Sequence, residues 1–378
     1  MKKLNYGMVG GGAGSFIGQA HRRAIRIDDL AQLTAGCFSR SAEISRKTGT
    51  ELGVADDRCY ASFQEMAAAE AAREDGIDFV VITTPNVSHY PACKAFLEAG
   101  IPVSCEKPLC LTLEQAQELQ ALARQKDLPF MVTYTYMGHV TAKHIRRYIQ
   151  GGNLGKIRMV MAEYPQGWLA HEDDWGGKQG QWRCNPSQAG KVNCLGDLGT
   201  HIENAVSMMT GLKIRRVLAR LEHQVPNRVL DDNDVVLLEY EGGATGCYWA
   251  SQVAIGHDND LRVRIFGENG TIEWRQETSE QVLVTTRDGI RTDLHRGDAG
   301  ILPGAAKYGR LPSGHTEGWL ESMANLYRSF CQCLNAKKEG IFVPEMIDYP
   351  TVDDGVEGVR FVEACLASSE AGGIWVDL

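Results

Sequence analysis

Three side chains carry the chemistry this sequence suggests: Lys107, Asp197 and His201. Lys107 stands in Cys105-Glu106-Lys107-Pro108, where a β-rich stretch ends and a proline fixes the turn. A lysine at that place can hydrogen-bond a substrate hydroxyl and, being cationic, favours a developing alkoxide. Asp197 and His201 stand four apart behind a glycine turn, in Gly196-Asp197-Leu198-Gly199-Thr200-His201. That spacing puts them on one face of a helix or its first turn. An imidazole near a helix N-terminus is pushed towards its neutral form, which accepts a proton at pH 7. A carboxylate nearby orients the imidazole or binds another hydroxyl. The plainer readings are surface charge for the Glu-Lys pair, and a capping aspartate with a buried histidine for the second cluster.

The elements that must position these groups change character along the chain. Strand-like runs at 4–10, 33–39, 79–84, 103–106 and 130–135 alternate with helix-like segments at 18–27, 42–52, 62–73, 88–99 and 113–125. Short apolar strands alternating with helices predict a parallel sheet covered on both faces. After about Gly138 a helix runs to Gln150, and strands then dominate: 157–164, 214–223, 235–241, 245–254, 261–268, 270–276 and 281–287. Many alternate apolar and polar residues, which predicts an antiparallel sheet with one covered face. Helices are expected near 199–210, 317–334 and 355–369, and a long surface loop from Asp288 to Pro312. The fold class is therefore α/β, a doubly wound parallel sheet over 1–137 followed by an α+β domain over 138–378 with a large, mostly antiparallel open sheet.

The first strand runs into Gly10-Gly-Gly-Ala-Gly-Ser-Phe-Ile-Gly18 and then a helix. Glycines there let backbone N–H groups approach a pyrophosphate, and the helix N-terminus adds a favourable dipole. Gly10 and Gly12 fit the first two positions of Gly-x-Gly-x-x-Gly. The third is Gly14 or, preferably, Gly18, which makes the loop three residues longer than usual. The strand before, the helix after and the second strand about 20 residues on are the context that a dinucleotide-binding loop requires. Gly10, Gly12, Gly14, Phe16 and Ile17 are its candidate cofactor contacts. The second strand lacks a terminal acidic residue and ends in Phe38-Ser39-Arg40. Ser39 can bind a ribose or a phosphate. Arg40 can pair with the 2′-phosphate of NADP or stack on adenine beside a plain NAD ribose, so the choice between NAD and NADP stays open. Thr84, Pro85, Asn86 and His89, after the third strand, are expected to shape the ribose-nicotinamide wall, with Asn86 or Ser88 alternatively capping the next helix. Glu106 is expected near the nicotinamide ribose.

In combination, the glycine-rich loop, Thr-Pro-Asn-x-x-His, Glu-Lys-Pro and Asp-x-x-x-His resemble, in that order, the Gfo/Idh/MocA family of glucose–fructose oxidoreductase and inositol dehydrogenase-like proteins. The resemblance covers nearly the whole chain. It implies a Rossmann domain, a second domain on a large open sheet, dimers or tetramers, and a catalytic set of Lys107, Asp197 and His201. On that reading a substrate CH–OH gives its hydride to nicotinamide, His201 takes the hydroxyl proton, Lys107 polarises the oxygen, and Asp197 orients the sugar or His201. Folding is expected to gather Lys107 and His201 around one substrate carbon. The extended glycine loop and the missing acidic residue depart from the family pattern and bear on cofactor preference.

The segment from Tyr164 to Arg183 is dense in Trp, Tyr, Gln and acidic groups, as sugar sites are. Trp168, Gln179, Trp182 and Arg183 are its candidate substrate contacts, with loop or subunit packing as the plainer reading. His171-Glu-Asp-Asp174 has metal-ligating types, but no metal is expected. His315 can project into a site, although capping by Thr316 suits it better. The implied function is an NAD(P)-dependent sugar or cyclic-polyol dehydrogenase. The competing readings are redox-assisted glycoside cleavage and a non-catalytic nucleotide-binding sensor.

Bulk properties agree with an ordinary two-domain protein: 378 residues, 43% hydrophobic, 23% charged. A net charge of −9 argues against nonspecific nucleic-acid binding. Eleven cysteines, an odd number without Cys-x-x-Cys, point to buried thiols in a reducing compartment. The start lacks the apolar core of a signal peptide, and no apolar run approaches the roughly 20 residues that span a bilayer. A cytoplasmic protein is expected, with no nucleic-acid or membrane partner, and a homodimer or homotetramer formed through the second sheet.

Overall fold

The computed structural model describes residues 2–174 and 178–378, and the side chains of all of these except 178 and 179. The chain divides into two compact units, Met1–Thr135 with Met323–Val356, and Tyr136–Ser322 with Glu357–Leu378. The expected boundary at 137/138 falls within three residues of the first division. The stretch Met323–Val356, expected in the second domain, packs with the first.

In the first unit five parallel strands, β1 (Leu4–Gly10), β2 (Ala31–Cys37), β3 (Phe79–Thr83), β4 (Val103–Cys105) and β5 (Phe130–Val132), form a sheet of order β2-β1-β3-β4-β5. The helices between them are α1 (Phe16–Ile27), α2 (Ala42–Glu51), α3 (Phe63–Ala71), α4 (His89–Glu98) and α5 (Leu113–Gln125). Phe79, Val80, Val81 and Ile82 of β3 are all fully buried. A strand covered on both faces needs such an unbroken apolar run. The chain leaves β1 for β2 on one side and returns to β3 on the other. That places the topological switch, where open α/β sheets bind ligands, between the C-terminal ends of β1 and β3. Gly10 and Thr83 are register partners there.

The second unit contains α6 (Val140–Gln150), β6 (Ile157–Pro165), α7 (Lys178–Arg183), α8 (Pro186–Ala189), α9 (Thr200–Thr210), β7 (Ile214–Glu222), β8 (Asn233–Tyr240), β9 (Thr245–Ser251), β10 (Arg262–Gly267), β11 (Gly270–Arg275), β12 (Gln281–Thr286), β13 (Arg291–His295) and α10 (Pro303–Ala306). Helices α11 (Trp319–Glu339) and α12 (Val352–Glu370) each contribute to both units, and β14 (Val376–Asp377) closes the chain. The nine strands order as β13-β12-β11-β10-β6-β9-β8-β7-β14, with every pairing antiparallel except β6 with β9. Along β8, Asp234, Val236, Leu238 and Tyr240 are buried while Val235 and Leu237 are exposed. One face of the sheet shares a core with Val206 and Met209 of α9 and with Phe361 and Cys365 of α12. The other face leaves Met159, Val235 and Leu237 exposed among Arg262, Glu163 and Glu273.

Residues 288–312 are not the structureless loop that their Gly, Pro and Arg content suggested. They hold edge strand β13, paired with β12 from Arg291 to His295, and the short helix α10. An edge strand with one neighbour needs no apolar alternation, so its sequence looks like a loop. Helix α11 begins at Trp319, past Thr316, and Glu321 caps the Gly318 N–H instead. His315 is exposed, and its carbonyl accepts from Arg296. All eleven cysteines are free thiols, nine of them buried. Among the described residues no helix is long and apolar enough to cross a membrane.

Candidate active site

In the first unit the glycine run does two jobs. Gly10 has φ +81°, and a side chain there would meet the Thr83 carbonyl oxygen at 2.9 Å. Gly18 opens the first turn of α1, where a Cβ would lie 2.3 Å from the Gly11 Cα. Gly18 is therefore the glycine that lets the helix pack flush against the strand end, the place expected of the third motif glycine. Ser15 caps the helix by accepting from the Gly18 N–H at 3.2 Å, and Arg22 donates to the Gly11 carbonyl at 2.8 Å. Around Gly14 a Cβ would meet open space. A glycine-rich loop, open at Gly14, ahead of a helix N-terminus fits a pyrophosphate. Phe16, at the start of α1, is 66% exposed and Ile17 lies beside it. Strand β2 ends at Cys37. Ser39 and exposed Arg40 fall in the following turn, where the Ser39 hydroxyl accepts from the Ser41 N–H.

The turns after β3 and β4 are tied to each other. His89 is buried with its Nδ1 2.8 Å from the Pro108 carbonyl oxygen and its Nε2 2.8 Å from that of Thr84. It holds the Thr84-Pro85-Asn86 wall and the Lys107-Pro108 turn in fixed relation from behind. Burial keeps its pKa below the usual histidine value, despite those two carbonyls. Asn86 is also buried, in a single 3₁₀ turn before α4. Glu106, beside Lys107, accepts from Thr133 at 2.5 Å and from His21 at 2.8 Å through one oxygen. Burial alone would raise its pKa. The His21 N–H, the Lys107 charge and the Thr133 hydroxyl outweigh that and hold it at about 2.

In the second unit Asp197 lies in a π-helical turn, Leu195–Gly199, that runs straight into α9. Such turns are frequent at functional sites. The helical ladder starts before His201, because the Asp197 N–H already donates to the Asn193 carbonyl at 2.8 Å. His201 is thus more than a turn inside, and the expected helix-end field on it is weaker than the sequence suggested. Arg183 at the end of α7 reaches Asp197 with Nε 3.1 Å from one oxygen and Nη2 3.4 Å from the other. Its guanidinium lies 4.5 Å from the Trp182 ring centre and 6.0 Å from that of Trp168. Three of the four expected substrate residues therefore gather around Asp197. The Gln179 side chain lies outside the described residues.

Sequence reading missed the scaffold beneath. Gln252 is fully buried and donates to Asp197 at 3.1 Å. It accepts from Asn193 at 2.6 Å, and Asp231 takes the Asn193 and Leu195 N–H groups at 2.6 and 2.7 Å. Gln252 lies just past the end of β9, where only the fold brings it to Asp197, and no local pattern marks it. The His201 ring lies tilted 4.8 Å from the Tyr136 ring and edge-on 6.0 Å from that of Tyr164. The two tyrosine hydroxyls meet each other and Asn259, which also receives Gln166, whose oxygen accepts from Trp168. His171 and Asp174 form a local turn, with the His171 N–H donating to the Asp174 carboxylate.

Comparison with known proteins agrees with this architecture. Residues 4–134 match the model of the oxidoreductase family, NAD-binding Rossmann fold, and residues 142–273 match that of the GFO/IDH/MocA C-terminal domain. An uncharacterized oxidoreductase, YfiI, of Bacillus subtilis (strain 168) is 38% identical over 381 residues, covering 100% of this chain and 97% of its own. An inositol dehydrogenase homolog from Azotobacter vinelandii, crystallised with NADH and myo-inositol, superposes with a TM-score of 0.92 at 36% identity, over 100% of this chain and 98% of that one. Levoglucosan dehydrogenase of Pseudarthrobacter phenanthrenivorans is 25% identical over 422 residues, 100% of this chain and 99% of its own.

Proposed function

We propose that this chain, which belongs to the GFO/IDH/MocA oxidoreductase family, is an NAD-dependent dehydrogenase of a cyclic polyol or sugar, with an inositol-like substrate favoured. The observation that carries the reading is the Asp197 carboxylate, one helical turn from His201, held by Gln252 and by Arg183, whose guanidinium lies against the Trp182 ring and near that of Trp168. Flat aromatic faces beside fixed hydrogen-bonding groups suit a ring bearing many hydroxyls. The 36%-identical relative with bound NADH and myo-inositol supports the same substrate class.

When bound, NAD supplies the hydride acceptor. The glycine loop would hold its pyrophosphate, and Glu106 and the Thr84–Asn86 wall its ribose and nicotinamide. Lys107 donates to the reacting hydroxyl oxygen and favours its negative charge. His201 takes the hydroxyl proton. Asp197, its charge engaged by Arg183, accepts from a neighbouring hydroxyl and fixes the ring rather than taking the proton. A second copy covering Met159, Val235 and Leu237 would complete the half-apolar outer face of the sheet, which sedimentation would reveal as a dimer or tetramer.

The test is NAD⁺ and NADP⁺ reduction across inositols, pentoses, hexoses and anhydrosugars. Turnover with a cyclic polyol and preference for NAD⁺ is the expected result. NADH binding without turnover of any polyol would overturn it in favour of a sensor.

A further inference from the structure

One side chain from the last quarter of the sequence reaches the cofactor half of the protein. Tyr327 of α11 belongs to the first unit, and its hydroxyl lies 2.5 Å from His21 Nδ1 and 3.2 Å from the Ser104 hydroxyl. The other nitrogen of His21, Nε2, is 2.8 Å from a Glu106 oxygen. His21 and Ser104 are fully buried, and Tyr327 is 2% exposed. Phe79 packs against the tyrosine ring at 6.4 Å. Water is therefore kept from the links among His21, Ser104 and Tyr327.

The carboxylate fixes the direction of the link to His21. An ionised carboxylate only accepts, so His21 Nε2 must carry a hydrogen. Nδ1 faces the Tyr327 hydroxyl, which also shares a hydrogen bond with the Ser104 hydroxyl. Glu106 thus sets the hydrogen on Nε2, and the phenol fixes the orientation of the His21 ring from its other side. His21 together with Thr133 commits one Glu106 oxygen inward and leaves the other carboxylate oxygen for an outside donor.

We propose that Tyr327 and His21 are positioning residues for cofactor binding: they hold Glu106 so that its second oxygen can accept a ribose hydroxyl of NAD. The proposal rests on the reading above that the glycine loop and Glu106 bind NAD. It gives α11 a role that neither the fold class nor the motif set assigns. Removing the tyrosine hydroxyl leaves Nδ1 without its partner and lets the imidazole ring turn, so that its N–H no longer holds the Glu106 oxygen in place.

The test is a double-mutant cycle on NADH affinity, read by fluorescence titration without substrate. Tyr327→Phe should weaken NADH about five- to tenfold, as loss of a buried hydrogen bond does. In a Glu106→Gln background the same change should cost less than about twofold, because the group it acts through has changed. The KM for the polyol should stay within about twofold, and thermal melting separates folding loss from affinity loss. Ser104→Ala carries the same cycle if Tyr327→Phe does not fold. Equal losses in both backgrounds, or unchanged NADH affinity in Tyr327→Phe, overturn the proposal alone. A wild-type protein that takes no NADH overturns the cofactor reading, and the proposal with it.

Discussion

Arg183 grips both carboxylate oxygens of Asp197 from fourteen residues upstream, at 3.1 and 3.4 Å, with its guanidinium against the Trp182 ring. A carboxylate so engaged is a firm acceptor, and in the proposed mechanism the hydroxyl proton accordingly goes to His201. Lysine at 183 keeps the charge but cannot supply the planar fork or the stacking. Arg183→Lys is expected to lower kcat/KM for the polyol about tenfold, the cost of one charge-assisted hydrogen bond. NADH affinity should be unchanged. An equal loss in both would show that Arg183 merely supports the fold.

His201→Asn keeps a polar group of similar size and removes the proton acceptor. Turnover should fall by ~10²–10⁴, the usual contribution of a positioned base. Raising the pH should recover part of it, since hydroxide can take the proton. The Tyr164 hydroxyl is no substitute: burial first, then the neighbouring phenol, pushes it well above the ordinary tyrosine range. Full turnover in the variant would remove His201 from the mechanism.

Where local pattern decides structure, the sequence was informative. Strand β1 and helix α5 lie at the residues that periodicity indicated, and Gly18 occupies the helix-opening place preferred for the third glycine. Groups chosen by tertiary packing were invisible. Gln252 reaches Asp197 only through the fold, from the bend just past β9, and Tyr327 returns to β4 and α1 from more than two hundred residues away. The π-turn at 195–199 also escaped, because an inserted residue in a helix leaves no distinct signature in the pattern of apolar positions. Short edge strands such as β13 escape for the opposite reason, having too few neighbours to impose a pattern.

Gly18 and Gly14 should respond differently to alanine. At Gly18 the new carbon would sit 2.3 Å from the Gly11 Cα and 2.9 Å from its carbonyl oxygen, with backbone on both sides. The helix must move off the strand, so Gly18→Ala should abolish NADH binding or folding. At Gly14 nothing lies within 4 Å, but φ is +75°. Gly14→Ala should cost only the left-handed backbone penalty of about 1–2 kcal/mol, with a folded protein and weakened NADH binding. Melting curves and NADH titration of the two variants check this ranking.

Asp234 gives a pH prediction of opposite sign to the usual carboxylate. Asp234 is buried, and ligand atoms of Cys194, Asp231 and Asp234 lie within 4.8 Å of one another. Asp231 already takes two backbone N–H groups and is the ionised member of the pair. Burial, then the Asp231 charge and their shared hydrogen bond, push the Asp234 carboxyl well above its ordinary range. A carboxyl with a raised folded-state pKa binds more protons folded than unfolded. Its stabilising share is complete below the unfolded pKa and is lost as pH climbs towards the folded pKa. Asparagine at 234 keeps a donor for Asp231 at every pH. Asp234→Asn should therefore melt close to wild type near pH 5 and about 2–4 °C higher near pH 9, the shift that ~1 kcal/mol produces in a domain of this size. A divalent cation at the same three groups predicts the reverse, with the variant less stable at every pH and the wild type destabilised by a chelator.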